Sequence, residues 1–207
     1  AQTPVVPFGT MEAPFEAYTS GTDELQYKGT YRMAREGNLI REDHRYFNLD
    51  GQSVYEIESV FDLSTMRPVS YVARDGVMDT VVEATIVNQV LNYIVRKPDG
   101  RILGRGIHTI SRETYLWPNL VLMIYMKWPE LIGGLPIGLD LFLFSVDSDV
   151  SFSLERAYAA GSESEGAATL KLTPSNLFIR AFFSPVTFMV TTGEPRRLLQ
   201  VDGRSLV

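Results

Sequence analysis

Apolar and polar residues alternate along most of this chain, and that alternation predicts the elements. Leu25, Tyr27, Tyr31 and Met33 point one way while Gln26, Lys28, Thr30 and Arg32 point the other, as in a half-buried antiparallel strand. Glu36, Gly37 and Asn38 turn the chain, Leu39 to Phe47 reads as a polar strand, and Asp50 and Gly51 supply the next hairpin turn. Tyr55, Ile57, Phe61 and Leu63 then alternate with Glu56, Glu58 and Asp62. Tyr55, Ile57 and Phe61 are expected inward and Glu56 and Glu58 outward, because a slip of one residue would bury charge. The pattern runs on through Val69, Tyr71 and Ala73, a turn at Asp75 and Gly76, and a β-branched stretch from Thr80 to Val95. Asp99 and Gly100, after Pro98, are the strongest hairpin signal, beyond which Ile102, Ile107, Thr109 and Ile110 lead to Tyr115 and Trp117. Strands joined by such short turns pair with their neighbours, so this part predicts a meander.

The period of two stops at Leu120 to Met126, which is apolar without a break. Pro118 and Asn119 precede it, and an Asn can cap a helix, so the segment predicts a short helix buried all round; a central strand is the alternative. It is too short to cross a membrane, which takes about 20 apolar residues, and Lys127, Pro129 and Glu130 interrupt it. Pro129 suits the first turn of a second helical piece that Gly133 and Gly134 end. Strands resume with Leu139, Leu141, Phe142, Leu143 and Phe144, a turn at Asp147 to Asp149, and Phe152 and Leu154. An exposed loop is expected at Gly161 to Gly166, then further strands at Leu170 and Leu172, at Leu177, Ile179 and Phe182, at Val186, Phe188 and Val190, and at Leu198 and Val201. The fold class expected is mostly β: roughly nine to eleven strands in one large curved antiparallel sheet, a half-barrel or open barrel, wrapped around one short apolar helix. Pro4, Pro7 and Pro14, with Phe8, Phe15 and Tyr18, make residues 1–22 an extended N-terminal arm, leaving 23–207 as a single β-rich domain.

Composition narrows the function. The chain has 207 residues, 45% of them apolar and 21% charged, enough to bury a sizeable core. Its net charge of −6 has the wrong sign for nucleic acid or an anionic membrane surface. Cysteine is absent, so there is no thiol nucleophile, disulfide framework or thiolate metal site. The chain opens Ala1, Gln2, Thr3, Pro4 without an initiator Met, which fits a precursor whose signal peptide has been removed and predicts a periplasmic or secreted location; trimming of the chain would look the same.

The polar residues offer little chemistry. His44 sits in Arg41, Glu42, Asp43, His44, Arg45 on a polar strand and His108 beside Ile107, with no Gly-x-Ser-x-Gly elbow and no His-Glu-x-x-His, so both read as ordinary strand residues. Glu56, Glu58 and Asp62 read as a solvated face, and an acid-base pair would need two carboxylates facing one cleft. Asp147 and Asp149 resemble the start of a calcium loop, but Val150 and Ser151 follow where ligands are needed. Gly104, Arg105, Gly106 lies between strands and is no dinucleotide fingerprint. No catalytic residue, metal site or cofactor is therefore assigned.

What stands out is apolar. Leu122, Tyr125, Met126, Trp128 and Leu131, with Phe142 and Phe144 on the following strand, put a soft methionine and aromatic rings where a lipid-like ligand could lie, the alternative being plain core. Gly133, Gly134 and Gly138 around Pro136 would let the helix act as a lid, unless they merely end it.

The order of these features, with the turn segment Asp62, Leu63, Ser64, Thr65, Met66, Arg67, Pro68 and the ending Pro195, Arg196, Arg197, Leu198, Leu199, Gln200, Val201, Asp202, Gly203, resembles an uncharacterised family of bacterial periplasmic proteins. The resemblance covers roughly residues 25 to 204. In that family the sheet is similar to the half-barrel of the lipoprotein-localisation carriers, wrapped about a helix. It implies no catalytic residues. It does imply a role in sheltering acyl chains, which maps onto the helix from Leu120 and the strand from Leu139. The expectation is thus a non-enzymatic periplasmic or secreted protein that binds an apolar ligand, a lipid or a lipidated segment between sheet and helix. The rival expectations are a carboxylate- or His44-dependent hydrolase in a barrel mouth, and a cell-envelope interaction module pairing through a strand edge.

Overall fold

The computed structural model describes residues 11–18, 24–157, 166–180, 183, 185–193 and 196–202. The protein is mostly β, as the alternation predicts. It divides into two compact units, one ending at Asn119 and the other beginning at Leu120.

The first unit is a meander of eight antiparallel strands in sequential order: β1 (Met11–Tyr18), β2 (Leu25–Glu36), β3 (Leu39–Phe47), β4 (Ser53–Asp62), β5 (Arg67–Asp75), β6 (Thr80–Val87), β7 (Val90–Arg96) and β8 (Ile102–Thr109). β1 and β8 are its two edges, so the sheet is open and closes no barrel. Of the segment read as an extended arm, Met11–Tyr18 form an edge strand, and residues 1–10 and 19–22 fall outside the described residues; Phe15 lies over Gly29, which has no side chain to meet it, and packs edge-on against Tyr46 at 4.9 Å.

Turn chemistry sets the register. Gly37, Gly51 and Gly100 take the left-handed backbone that hairpin turns require. Asn48 Oδ1 accepts from the backbone N–H of Asp50 and Gln52, and Asp75 Oδ1 from those of Val77 and Met78. One turn escapes the sequence pattern: the stretch from Thr80 to Val95 is two strands, broken at Asn88 (φ 50°) and Gln89 (φ 66°). A two-residue turn with both central residues left-handed usually carries Gly second, and Gln89 stands there instead between Val87 and Val90.

The alternation is kept across the sheet. Met33, Glu42, Ser59, Tyr71, Ala84 and Tyr93 face one another in a row from β2 to β7, all buried. Tyr31, His44, Ile57 and Ala73 form the next buried row. Ile57 and Phe61 are buried and Glu58 exposed, as expected, while Tyr55 and Glu56 are both half-buried. A short strand β9 (Thr114–Tyr115) follows, its Tyr115 ring stacked parallel to Phe61 at 6.3 Å.

In the second unit lie helices α1 (Asn119–Met126) and α2 (Trp128–Ile132), then strands β10 (Ile137–Leu143), β11 (Ser148–Arg156), β12 (Ala167–Pro174), β13 (Val186–Thr191) and β14 (Leu198–Asp202), antiparallel in sequential order. The strands expected in one sheet are therefore divided between two. The apolar run is a helix, with Leu120 to Tyr125 all buried. Pro129 sits in the first turn of α2, and backbone bonds from Gly133 to Pro129 and from Gly134 to Leu131 close it. Leu177 and Ile179, read as strand, lie instead in the single helical turn α3 (Leu177–Arg180), where Arg180 N–H donates to the Asn176 carbonyl after Pro174 has ended β12; Phe182 falls outside the described residues. Of the expected loop at 161–166, only Gly166 is described, left-handed and exposed.

Candidate functional site

The structure draws attention to a cluster that the sequence reading passed over. The strand β3 reads as polar because Arg41, Glu42, Asp43, His44 and Arg45 follow one another, yet its pleat turns Glu42 and His44 to the same inner face as Ile40. Glu42 is 1% exposed. Its Oε2 accepts from Asn119 Nδ2 at 2.7 Å and Ser59 Oγ at 3.0 Å, and its Oε1 from the Tyr31 hydroxyl at 3.1 Å. Ser59 is its cross-strand partner on β4, Tyr31 its diagonal neighbour on β2, and Asn119 the last residue of the same unit. Asn119 is also the first residue of α1, but its side chain does not cap that helix as expected: Oδ1, the atom that would accept a helix N–H, makes no hydrogen bond, while Nδ2 donates to Glu42 and Ser59.

Burial dominates the electrostatics. It pushes the Glu42 carboxyl up from 4.5 to about 7, against hydrogen bonds from Asn119, Ser59 and Tyr31 that favour the charged form. Beside it, burial pushes the His44 imidazole down from 6.5 to about 4, so it is neutral near pH 7. Its ring meets Tyr31 edge-on at 4.7 Å. Tyr71, next in the row beyond Ser59, is raised, again chiefly by burial. Two buried polar atoms of the cluster have no hydrogen-bond partner among the described residues: His44 Nε2 and Asn119 Oδ1. Each such atom costs about 1–3 kcal/mol.

The arrangement does not assemble a serine hydrolase. Ser59 directs its proton to Glu42 rather than to His44, whose Nε2 makes no bond. Among the described residues no three His, Cys, Asp or Glu side chains gather as a metal-holding group. His108 is half-buried on β8, stacked on Tyr93 at 6.0 Å. A shallow open depression of about 420 Å³ lies over β5 to β7, bordered by Val72, Glu83, Asn92 and Ile94. Its carboxylate, Glu83, is engaged by Arg96 at 2.6 Å.

The apolar residues singled out from sequence all belong to the second unit. Leu122, Tyr125, Trp128, Leu131 and Phe142 are buried, and Met126 and Phe144 half-buried. The rings of Phe142 and Phe144 meet edge-on at 5.2 Å. The Tyr125 hydroxyl accepts from Leu198 N–H at 3.1 Å, and the Arg196 guanidinium lies 5.3 Å from the centre of the Trp128 ring. Arg156 Nη1 donates to the Ile132 carbonyl at 3.2 Å, fastening the end of α2 to β11. No described helix is long and apolar enough to cross a membrane.

The signal for Glu42 was present in the sequence as parity. With the hairpin turn at Gly37 and Asn38, Glu42 falls opposite Met33 and His44 opposite Tyr31, both inward residues of the preceding strand. Comparison with family models, with curated proteins and with solved structures gives no match.

Proposed function

We propose that this is a non-enzymatic binding protein for an apolar, lipid-like ligand that carries one uncharged, hydrogen-bonding head group. The observation that supports this reading is the polar cluster on the inner face of the first sheet. A mostly apolar face with a few convergent polar groups is the usual make-up of a small-molecule site. Here Tyr31, Met33, Ile57, Tyr71 and Ala73 are buried in the same two cross-strand rows as Glu42 and His44, while His44 Nε2 and Asn119 Oδ1 lack partners among the described residues. A hydroxyl or amide of a ligand would supply the missing bond to Asn119 Oδ1, and a neutral imidazole can serve as donor or acceptor. A fatty alcohol or monoacylglycerol has that chemistry, and a permanently charged head group does not. A periplasmic or secreted setting belongs to this reading through the resemblance to the half-barrel carriers. The apolar set from Leu122 to Phe144 is the alternative place for the acyl chain, supported by its two half-buried members Met126 and Phe144.

Native mass spectrometry of protein purified without detergent, followed by calorimetric titration with a monoacylglycerol, tests the reading. A co-purified lipid or saturable binding is expected, weakened at least about tenfold in Asn119→Leu with His44→Phe, since each lost bond is worth about 1 kcal/mol. A flat titration with folded protein removes the reading. Turnover of the monoacylglycerol would replace it with the hydrolase.

A further inference from the structure

The two edges of the eight-stranded sheet are guarded differently. β1 carries Pro14, which has no N–H to offer a further strand, and Glu12 and Pro14 are exposed on its outer face. β8 carries no proline, and no described strand lies beyond it. It also exposes Ile102 (55%), Leu103 (49%) and Ile107 (75%). Its charge is as one-sided as its exposure. From Arg101 to Arg112 there are three arginines and no acidic residue, in a chain whose net charge is −6. Arg101, Arg105 and Arg112 are exposed, and none of the three makes an ion pair with another described residue.

We propose that the β8 edge is a docking site for an extended acidic segment of a partner protein, which adds to the sheet as a further strand. Backbone bonding would supply the affinity and the side chains the specificity. Arg105 and Ile107 lie on one face of β8, because their partners across the sheet are Ile94 and Asn92, and Gly104 lies on the other. A side chain opposite Gly104 has room, since nothing lies within 4 Å of where a Cβ would sit, whereas the same place over Gly106 is filled by the Tyr93 and His108 rings. An antiparallel partner that fits therefore has a carboxylate opposite Arg105, an apolar residue two positions before it opposite Ile107, and a large apolar or aromatic residue directly after it opposite Gly104. A second copy of this chain does not meet these terms. β8 against β8 in the register centred on Arg105 sets that arginine against itself, and β1 of a second copy presents Pro14.

Fluorescence anisotropy with labelled ten-residue peptides tests the site on the full chain. One peptide carries Val-Thr-Glu-Phe at its centre, a second replaces Glu by Lys, and a third replaces by Pro the Val opposite Ile107, whose backbone N–H, like that of Arg105, points away from β7. Saturable binding of the first is expected, at least about threefold weaker for the second, and absent for the third. Arg105→Glu, an exposed change that leaves the fold intact, should reverse the preference between Glu and Lys peptides. Adding salt should weaken binding of the Glu peptide. Equal binding of all three peptides, no reversal in Arg105→Glu, no binding at all, or sedimentation as a dimer that dissociates in Ile107→Pro would each overturn the proposal.

Discussion

Replacing Glu42 by Gln should expose a pH dependence that the unchanged protein conceals. Glu42 binds its proton more tightly when folded, with a pKa of about 7 against an ordinary 4.5. Its contribution to stability is therefore fully present below 4.5 and is lost as pH rises through 7. At about 1.4 kcal/mol per pH unit, that gap is worth about 3 kcal/mol. His44 runs the other way. Its folded pKa of about 4 lies below the ordinary 6.5, so its contribution is full above 6.5 and is lost as pH falls through 4, again by about 3 kcal/mol. Between pH 4.5 and 6.5 the two slopes are equal and opposite, and their sum is nearly flat. Glu42→Gln removes one slope and keeps the other. Relative to the parent, the variant should gain stability as pH rises from 4.5 to 7, by about 3 kcal/mol, or about 6–12 °C in Tm for a chain of this size. His44→Gln should show the mirror image, losing about 3 kcal/mol relative to the parent as pH rises from 4 to 6.5. Urea unfolding followed by circular dichroism at half-unit pH steps from 4 to 8 reads both, and differences between curves cancel the background of surface carboxylates. A difference curve for Glu42→Gln that stays flat from pH 4 to 7 would refute the buried titration of Glu42.

Ile57→Asp should cost about 3–5 kcal/mol while Glu58→Gln stays within about 0.5 kcal/mol, because Ile57 is buried and Glu58 shares only an exposed ion pair with Arg74; equal melting shifts would reject the inward and outward assignment. Gly29→Ala places a Cβ against the Phe15 ring and 2.5 Å from the Arg45 carbonyl oxygen, so denaturant unfolding should show a loss of about 1–3 kcal/mol, and an unchanged midpoint would mean β1 is not seated on β2 as described. Gln89→Gly relieves a left-handed non-glycine residue at φ 66° and should raise stability by about 0.5–1 kcal/mol; a lower melting temperature would contradict the turn geometry.

How much could be read in the chain depended on whether local chemistry or pairing made the decision. β3 runs from Leu39 to Phe47 as its pattern indicated, since Gly37 on one side and the turn residues Asn48, Asp50 and Gly51 on the other bound it. The helix at Leu120 was legible as the favoured of two readings, because Pro118 and Asn119 suit a helix start, whereas the unbroken apolar run by itself fits a central strand as well. The break at Asn88 and Gln89 was not, because Val87 and Val90 continue a β-branched stretch and the turn lacks its usual glycine. Nor was the division into two sheets, since strand periodicity is blind to which strands share a ladder. The site was hidden for a different reason. Five consecutive polar residues suggest a solvated strand, and only the pairing of Glu42 with Met33 and Ser59 reveals that alternate members of the run face the core.

That hidden placement is itself an argument about function. A sheet that needed only to fold would set apolar residues at positions 42 and 44, as it does at Ile40, Ile57 and Phe61 beside them. Buried polar groups in place of well-packed apolar ones are often neutral at best, and an incompletely bonded network is worse. Here the network is incomplete in a particular way: the carboxylate of Glu42 is supplied with three donors, while the unpartnered atoms, His44 Nε2 and Asn119 Oδ1, belong to the residues around it. A purely structural carboxylate would need its own oxygens satisfied and nothing more. The leftover capacity on neighbouring side chains is what a ligand's head group can take up. On the proposed function, the cost of the cluster to the empty protein becomes the origin of affinity, because bonds missing before binding are gained on binding.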